Sequence, residues 1–256
     1  MTEATGRFDG RTAVVSGAAS GIGRAVTLRL AGEGADVLAL DIDEVGLAAT
    51  REAATGNVIP RVVDVRSADA CRDAVEFAVA EFGHLDVLGN VAGIARGEHV
   101  ADVTEAAYRQ MMAVNVDGYF FMAQAAIPHL LRSAEDGGRG VIVNIASNAG
   151  LMGGAYTVVY CMTKGAVVQL TRALAMEFMK TPLRVVAIAP GGVDTGLVQG
   201  YQMPMDVDWD LVGRYTGHRD MAKPEDIANL FAFLASDEAR NIHGAIVSSD
   251  GGLTAG

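Results

Sequence analysis

Short apolar runs recur along this chain with helix-length segments between them, and that alternation restricts the fold more than any other feature. The runs at 12–16 (TAVVS), 35–41 (ADVLALD), 58–63 (VIPRVV), 85–89 (LDVLG), 140–146 (GVIVNIA), 184–189 (RVVAIA) and 244–249 (GAIVSS) read as strands. Helices are predicted at about 22–32, 67–82, 104–132, 155–180 and 224–235, the fourth closed by Pro182. Nearly continuous apolar strands separated by helices make a parallel sheet covered on both faces. The expectation is an α/β fold: a single doubly wound parallel sheet of about seven strands. No internal repeat, low-complexity tract or linker divides the chain, so 1–256 reads as one domain, with an irregular segment at about 195–221.

The first unit carries a nucleotide-binding pattern. TAVVS is followed by GAASGIG (17–23), an amphipathic helix, and a second run ending on Asp41. Strand, glycine turn, helix, strand and acid make one βαβ unit. Glycines at 17, 21 and 23 allow a tight turn, close approach of backbone to a pyrophosphate, and close helix–strand packing. The helix N-terminus offers unsatisfied N–H groups and a positive dipole end to phosphates. A plain β–α turn also uses glycine, but the flanking elements favour the nucleotide. Asp41 would accept bonds from ribose hydroxyls and repel a 2′-phosphate, a role Asp43 could share. Positions 18–20 (Ala-Ala-Ser) and 42–43 (Ile-Asp) hold no cation to read that phosphate, so NAD is expected over NADP.

Tyr160 and Lys164 supply the second constellation. Residues four apart on a helix share a face, so the two side chains would project together. An ammonium about 4 Å from a phenol, at an effective dielectric near 20, favours the phenolate by roughly 4 kcal/mol. That bounds the effect at about three pKa units, enough to bring a tyrosine into working range for proton transfer. A surface Tyr beside a solvated Lys is the bland alternative. The chain has three lysines, at 164, 180 and 223, so chance placement four residues after a tyrosine is rare.

Composition excludes other classes. The net charge of −11 argues against nucleic-acid binding. No apolar run approaches the ~18–20 residues of a membrane helix, and MTEATGRFDGR lacks the basic-then-apolar order of a signal peptide. Two cysteines, Cys71 and Cys161, do not make a disulfide framework. A cytoplasmic protein with free thiols is expected. No metal-ligand spacing appears around His99 or His218, and no metal is expected.

With these residues in place, the chain resembles the short-chain dehydrogenase/reductase family over essentially its whole length. The matching pieces are SGAASGIG (16–23), DV (64–65), NVAG (90–93), MAVN (112–115), NIAS (144–147), YCMTK (160–164) and PGGVDT (190–195). The resemblance implies a Rossmann-like domain, a nicotinamide cofactor and a catalytic tetrad of Asn115, Ser147, Tyr160 and Lys164. Tyr160 would exchange a proton with an alcohol or ketone oxygen while hydride moves between carbon and nicotinamide. Lys164 would lower the tyrosine pKa and hold the nicotinamide ribose. Ser147 would orient the reacting oxygen. Asn115, a poor helix former inside a predicted helix, would mark a kink whose freed carbonyl binds a relay water. Cofactor contacts implied by position are Gly17, Ser20, Gly21, Ile22, Gly23, Asp41, Ile42, Asp64, Val65, Asn90, Ala92, Gly93, Pro190, Gly191, Val193 and Thr195, with Tyr160 and Lys164. Two positions depart from the family's pattern: Val91 replaces an asparagine whose amide ties the sheet to the glycine turn, and Ser16 replaces a threonine.

The 195–221 segment holds Tyr201, Met203, Met205, Trp209, Tyr215 and Met221, an adaptable apolar set where a lid would close. With Met152 and Tyr156 it suggests an apolar secondary alcohol or ketone; Met152, Tyr156, Met203 and Trp209 are the candidate substrate contacts. Helix 165–179 is apolar on more than one face, which predicts packing on a symmetry mate, and the family resemblance implies a homotetramer or a dimer. Two other readings stand beside the NAD-dependent dehydrogenase. One is a 3-oxoacyl-thioester reductase acting on acyl carrier protein or CoA, disfavoured by Asp41 and, for an acidic carrier, by the net charge. The other is a non-catalytic NAD(H)-binding redox sensor, which need not keep Ser147, Tyr160 and Lys164 together.

Overall fold

Thr12–Ser16, Val87–Asn90, Val141–Ile145 and Arg184–Pro190 are buried at every position, as strands covered on both faces must be. They are β1, β4, β5 and β6 of a computed structural model that describes residues 6–137, 140–200 and 203–255. With β2 (Asp36–Asp41), β3 (Val58–Val62) and β7 (Ile246–Ser249) they form one seven-stranded sheet, ordered β3-β2-β1-β4-β5-β6-β7 and parallel throughout. The doubly wound sheet expected from the apolar runs is therefore what forms.

Side chains alternate between the two faces. Ala13, Val15, Val37 and Val143 pack under α1 (Gly21–Gly32), α2 (Glu44–Ala53) and α9 (Pro224–Ala235). Val14, Leu38, Leu88 and Ile142 pack under α3 (Ala68–Phe82) and α5 (Gly118–Gly137). A third cluster joins Val167 and Val168 of α6 (Val158–Glu177) to Ala187, Ala189 and Tyr119.

The chain builds β1, β2 and β3 in one direction, then returns to lay β4 on the other side of β1. That reversal opens a crevice beyond the carboxyl ends of β1 and β4. Ala13 lies opposite Val87 and Val15 opposite Gly89, so Gly17 and Val91 leave the sheet side by side. Gly17, Asp41, Asp64, Ser147 and Pro190 follow or close their strands on this same edge.

The helices differ from the sequence reading in four places. α2 is an additional helix: it is short and buries only Gly46, Leu47 and Thr50, too weak a stripe for periodicity to show. Its N-cap is Asp43, whose carboxylate accepts from Gly46 N (3.0 Å). The helix expected over 104–132 is divided. α4 (Glu105–Met112) gives way to a π-helical turn at Ala113–Asp117, and α5 then runs to Gly137 with Pro128 inside it. The helix expected from 155 starts at Val158, because Tyr156 takes a left-handed φ of 61° that no helix tolerates. The 195–221 segment contains α7 (Gly196–Gln199) and α8 (Trp209–Gly213), and its base is pinned by a parallel bridge between Val193 and Ala222. Tyr201 lies outside the described residues. No described helix is long and apolar enough to cross a membrane.

Candidate active site

The crevice is a cleft of about 400 Å³, and nearly every residue expected to hold a cofactor lines it. Its first wall is the glycine turn. Gly21 has φ +50°, and a Cβ there would stand 3.1 Å from the Thr195 side chain across the cleft. A Cβ on Gly23 would stand 1.9 Å from the Gly17 carbonyl oxygen, so this glycine serves the turn's own closure. Ser20, the N-cap of α1, makes no side-chain cap bond, and no acid occupies the first turn. The open N–H groups of α1 thus face the cleft, the arrangement a pyrophosphate needs.

Asp41 closes this wall. Its Oδ2 accepts from Ala19 N (3.0 Å), and its Oδ1 from Ile42 N (2.7 Å) and Asp43 N (3.1 Å). Three backbone donors fix the carboxylate at the strand end, with acceptor capacity left over for ribose hydroxyls. The nearest cation of α1, Arg24, is committed elsewhere: it donates to Thr50 Oγ1 (3.0 Å), to Gly46 O (3.2 Å) and to Ala19 O.

Asp64 and Val65 line the far end, as expected, together with Arg66, which the sequence reading missed. The Arg66 guanidinium grips Asp64 by three bonds of 2.9, 2.9 and 2.6 Å and holds its carboxyl below the usual range. On the opposite lip stand Val91, Ala92 and Gly93. Asn90 is corrected: it lies beneath the cleft, 1% exposed, donating to Asn144 Oδ1 (3.0 Å). The tie put in question by Val91 is supplied instead by Ser16. Its hydroxyl accepts from Val91 N (3.0 Å) and Ala92 N (3.2 Å) and donates to Gly89 O (3.3 Å), joining β1 to β4 where the cleft opens.

Ser147, Tyr160 and Lys164 meet on the cleft floor. Ser147 leaves β5, donates to Asn148 Oδ1 (3.0 Å) and accepts from Ala149 N (3.1 Å). Tyr160 and Lys164 project from one face of α6, as their spacing predicts. No hydrogen bond joins the two side chains. Lys164 Nζ is 5.9 Å from the Tyr160 ring centroid and spends its bonds on Ile145 O (2.8 Å) and Tyr119 OH (3.3 Å). In the free protein, therefore, the Lys164 ammonium acts on Tyr160 through space rather than through a direct hydrogen bond. Burial raises its hydroxyl above the ordinary tyrosine value, and hydrogen bonding with Ser147 draws it partly back. Burial also pulls Lys164 down to about 7. Asn115 does not reach the cleft. Its amide is paired with Ile94 N (2.9 Å), Ile94 O (2.8 Å) and Thr163 Oγ1 (3.1 Å), which pins the π turn to the loop after β4. The kink implied by the resemblance is this π turn.

Pro190, Gly191, Val193 and Thr195 complete the wall after β6. The four candidate substrate residues do not line this cleft. Met152 stands outside it and Trp209 is 69% exposed. Met203 lines a separate cavity of about 340 Å³ with Arg96, His99 and Asp206. Tyr156 is a structural joint: its hydroxyl accepts from Asp208 N (2.8 Å), its carbonyl accepts from Glu98 N (2.8 Å), and His99 packs edge-on to its ring. Apolar residues at the cleft that no sequence expectation named include Ile94, Val114, Leu197 and Val198. Position after the strand end could have signalled Ile94; nothing in the sequence marked α7.

A glycine turn on an open helix terminus, a fixed acid at the next strand end and a Ser, Tyr and Lys on one floor define a nucleotide-dependent oxidoreductase site. A family model described as enoyl-(acyl carrier protein) reductase matches residues 17–254. The chain is 40% identical over 255 residues to cis-4-hydroxycyclohexanecarboxylate dehydrogenase of Sinomonas cyclohexanicum, covering 97% of this chain and 98% of that protein. It is 34% identical over 250 residues to a 3-oxoacyl-[acyl-carrier-protein] reductase of Thermotoga maritima, covering 96% and 99%. A short chain dehydrogenase from Mycobacterium paratuberculosis bound to NAD superposes with a TM-score of 0.89 at 34% identity, covering 98% and 100%. This chain belongs to the short-chain dehydrogenase/reductase family of nicotinamide-dependent oxidoreductases.

Proposed function

We propose that this protein is an NAD-dependent secondary-alcohol dehydrogenase, or ketone reductase, acting on an apolar and preferably cyclic substrate. The observation that carries the reading is the placement of Ser147, Tyr160 and Lys164 in the same cleft as the glycine turn and Asp41. The cofactor supplies the hydride acceptor or donor when bound. The protein's own part is proton management. Protonated Tyr160 donates to a ketone oxygen, and as phenolate it takes the proton of an alcohol. Ser147 orients that oxygen, Lys164 biases the proton on Tyr160 and holds the nicotinamide ribose, and Asn115 sets the π turn beside them.

NAD is preferred to NADP because Asp41 would meet the adenosine ribose and Arg24 is occupied by backbone carbonyls. Ile94, Val114, Leu197 and Val198 favour an apolar substrate, and the relative from Sinomonas suggests a ring. The relative from Thermotoga supports a second reading, a 3-oxoacyl-thioester reductase; the net charge of −11 disfavours docking of an acidic carrier protein. We read residues 1–256 as one catalytic domain that works in the cytoplasm with Cys71 and Cys161 unpaired, and as a homotetramer. Exposed Phe120, Val158, Met162, Met176 and Met179 suit one apolar contact, and the open edge of β7 suits another.

The test is formation of NADH or NADPH against a panel of cyclic and open-chain secondary alcohols and 3-hydroxyacyl thioesters. Turnover of a cyclic alcohol with NAD is expected. Turnover confined to thioesters with NADP would replace this reading with the second one.

A further inference from the structure

We infer that Tyr119 is a positioning residue whose buried hydroxyl, with the Ile145 carbonyl, aims the Lys164 ammonium at the cleft. Tyr119 is 2% exposed and is the second residue of α5, just after the π turn. The turn's extra residue rotates α5 by about 100° relative to α4, and this carries the Tyr119 side chain beneath the cleft floor. Its hydroxyl donates to Ile145 O (2.9 Å). Lys164 Nζ donates to that same carbonyl (2.8 Å) and to the Tyr119 hydroxyl (3.3 Å), and lies 5.1 Å from the Tyr119 ring centroid.

An ammonium has three donors in a tetrahedral array. With two directed at Ile145 O and Tyr119 OH, the direction of the third is fixed, and Lys164 lines the cleft. The side chain is 3% exposed, and no carboxylate pairs with it among the described residues. The titratable groups facing it are Tyr119 on α5 and Tyr160 on its own helix, with Cys161 beside the latter. Neutral acceptors and two ring faces are thus what keep a buried charge tolerable here. Removing the Tyr119 hydroxyl withdraws one of them without removing the ring. The kinetic consequence rests on the function proposed above; the effect on Lys164 does not.

The test exploits the presence of only three lysines, at 164, 180 and 223. Lysine carrying 13C at Cε gives three signals by NMR, and Lys164→Met assigns the one of interest. In the wild type the Lys164 signal should titrate near neutrality. In Tyr119→Phe its midpoint should fall by about 0.5–1 unit, because an acceptor that favoured the charged form is gone. In the same variant the acid limb of kcat/KM for alcohol oxidation should move to higher pH, since a less protonated lysine stabilises the Tyr160 phenolate less. A purely structural role would lower the melting temperature and leave both midpoints in place. Equal Lys164 midpoints in wild type and variant would overturn the inference. So would a wild-type midpoint near the ordinary lysine value of about 10.4, whether or not the variant folds. Absence of turnover on every substrate would defeat the proposed function, and the NMR titration would still decide the role of Tyr119.

Discussion

At Tyr160 the physical chemistry runs against the simplest account of a lysine-activated phenol. Burial raises the tyrosine and lowers the lysine, so near neutrality the hydroxyl keeps its proton. That is the form that reduces a ketone. Alcohol oxidation needs the phenolate, so its kcat/KM should climb as pH rises above neutrality, while ketone reduction should not. A flat oxidation profile from pH 7 to 10 would contradict this. Ser147→Ala should lower kcat by about 10²–10³ with little change in NADH binding, the usual cost of a lost donor at a developing charge. Lys164 also carries a stability signature. Its folded pKa, about 7, lies below the unfolded value, so between those values the unfolded chain binds more protons and stability rises with pH. The stability gained by Lys164→Met over the wild type should therefore be greater at pH 6 than at pH 9, as urea midpoints can show. A pH-independent difference would mean that the lysine is not enclosed.

At the scale of elements, the strands were legible because burial on both faces leaves a nearly unbroken apolar run, and the strand ends located most of the cleft. The glycine turn, Asp41 and the Tyr160–Lys164 pair followed from spacing, and the family resemblance added Ser147. What stayed hidden depends on contacts distant in sequence. α2 lacks a strong apolar stripe, and although a kink at Asn115 was expected, its π form is fixed by bonds to Ile94, 21 residues earlier. Tyr156 resembles a substrate residue because it is a tyrosine expected near the 195–221 segment; its hydroxyl and carbonyl turn out to be structural. Gly23→Ala tests the turn: with 1.9 Å to the Gly17 oxygen, the loop must shift, and NADH affinity should fall at least about tenfold. Unchanged affinity would make the turn incidental. Arg184 tests the opposite end of the sheet. Buried there, it donates to the carbonyls of Leu234 (2.8 Å), Ala239 (3.2 Å) and Ser236 (3.0 Å) as α9 ends. Arg184→Met should cost about 2–4 kcal/mol by urea unfolding, since those carbonyls are left without a partner.

For the whole molecule, the fold gathers on one sheet edge a nucleotide-shaped wall and a proton-transfer floor, and the two are separable experimentally. The proposed tetramer should appear by light scattering at micromolar concentration; a monomer there would remove the assembly but leave the site intact. The most direct trial of the central claim is to measure binding and turnover separately in Tyr160→Phe. NADH affinity should stay within about twofold of wild type while turnover falls by at least about 10² in both directions. Turnover surviving at near wild-type rate would show that the proton passes through another group.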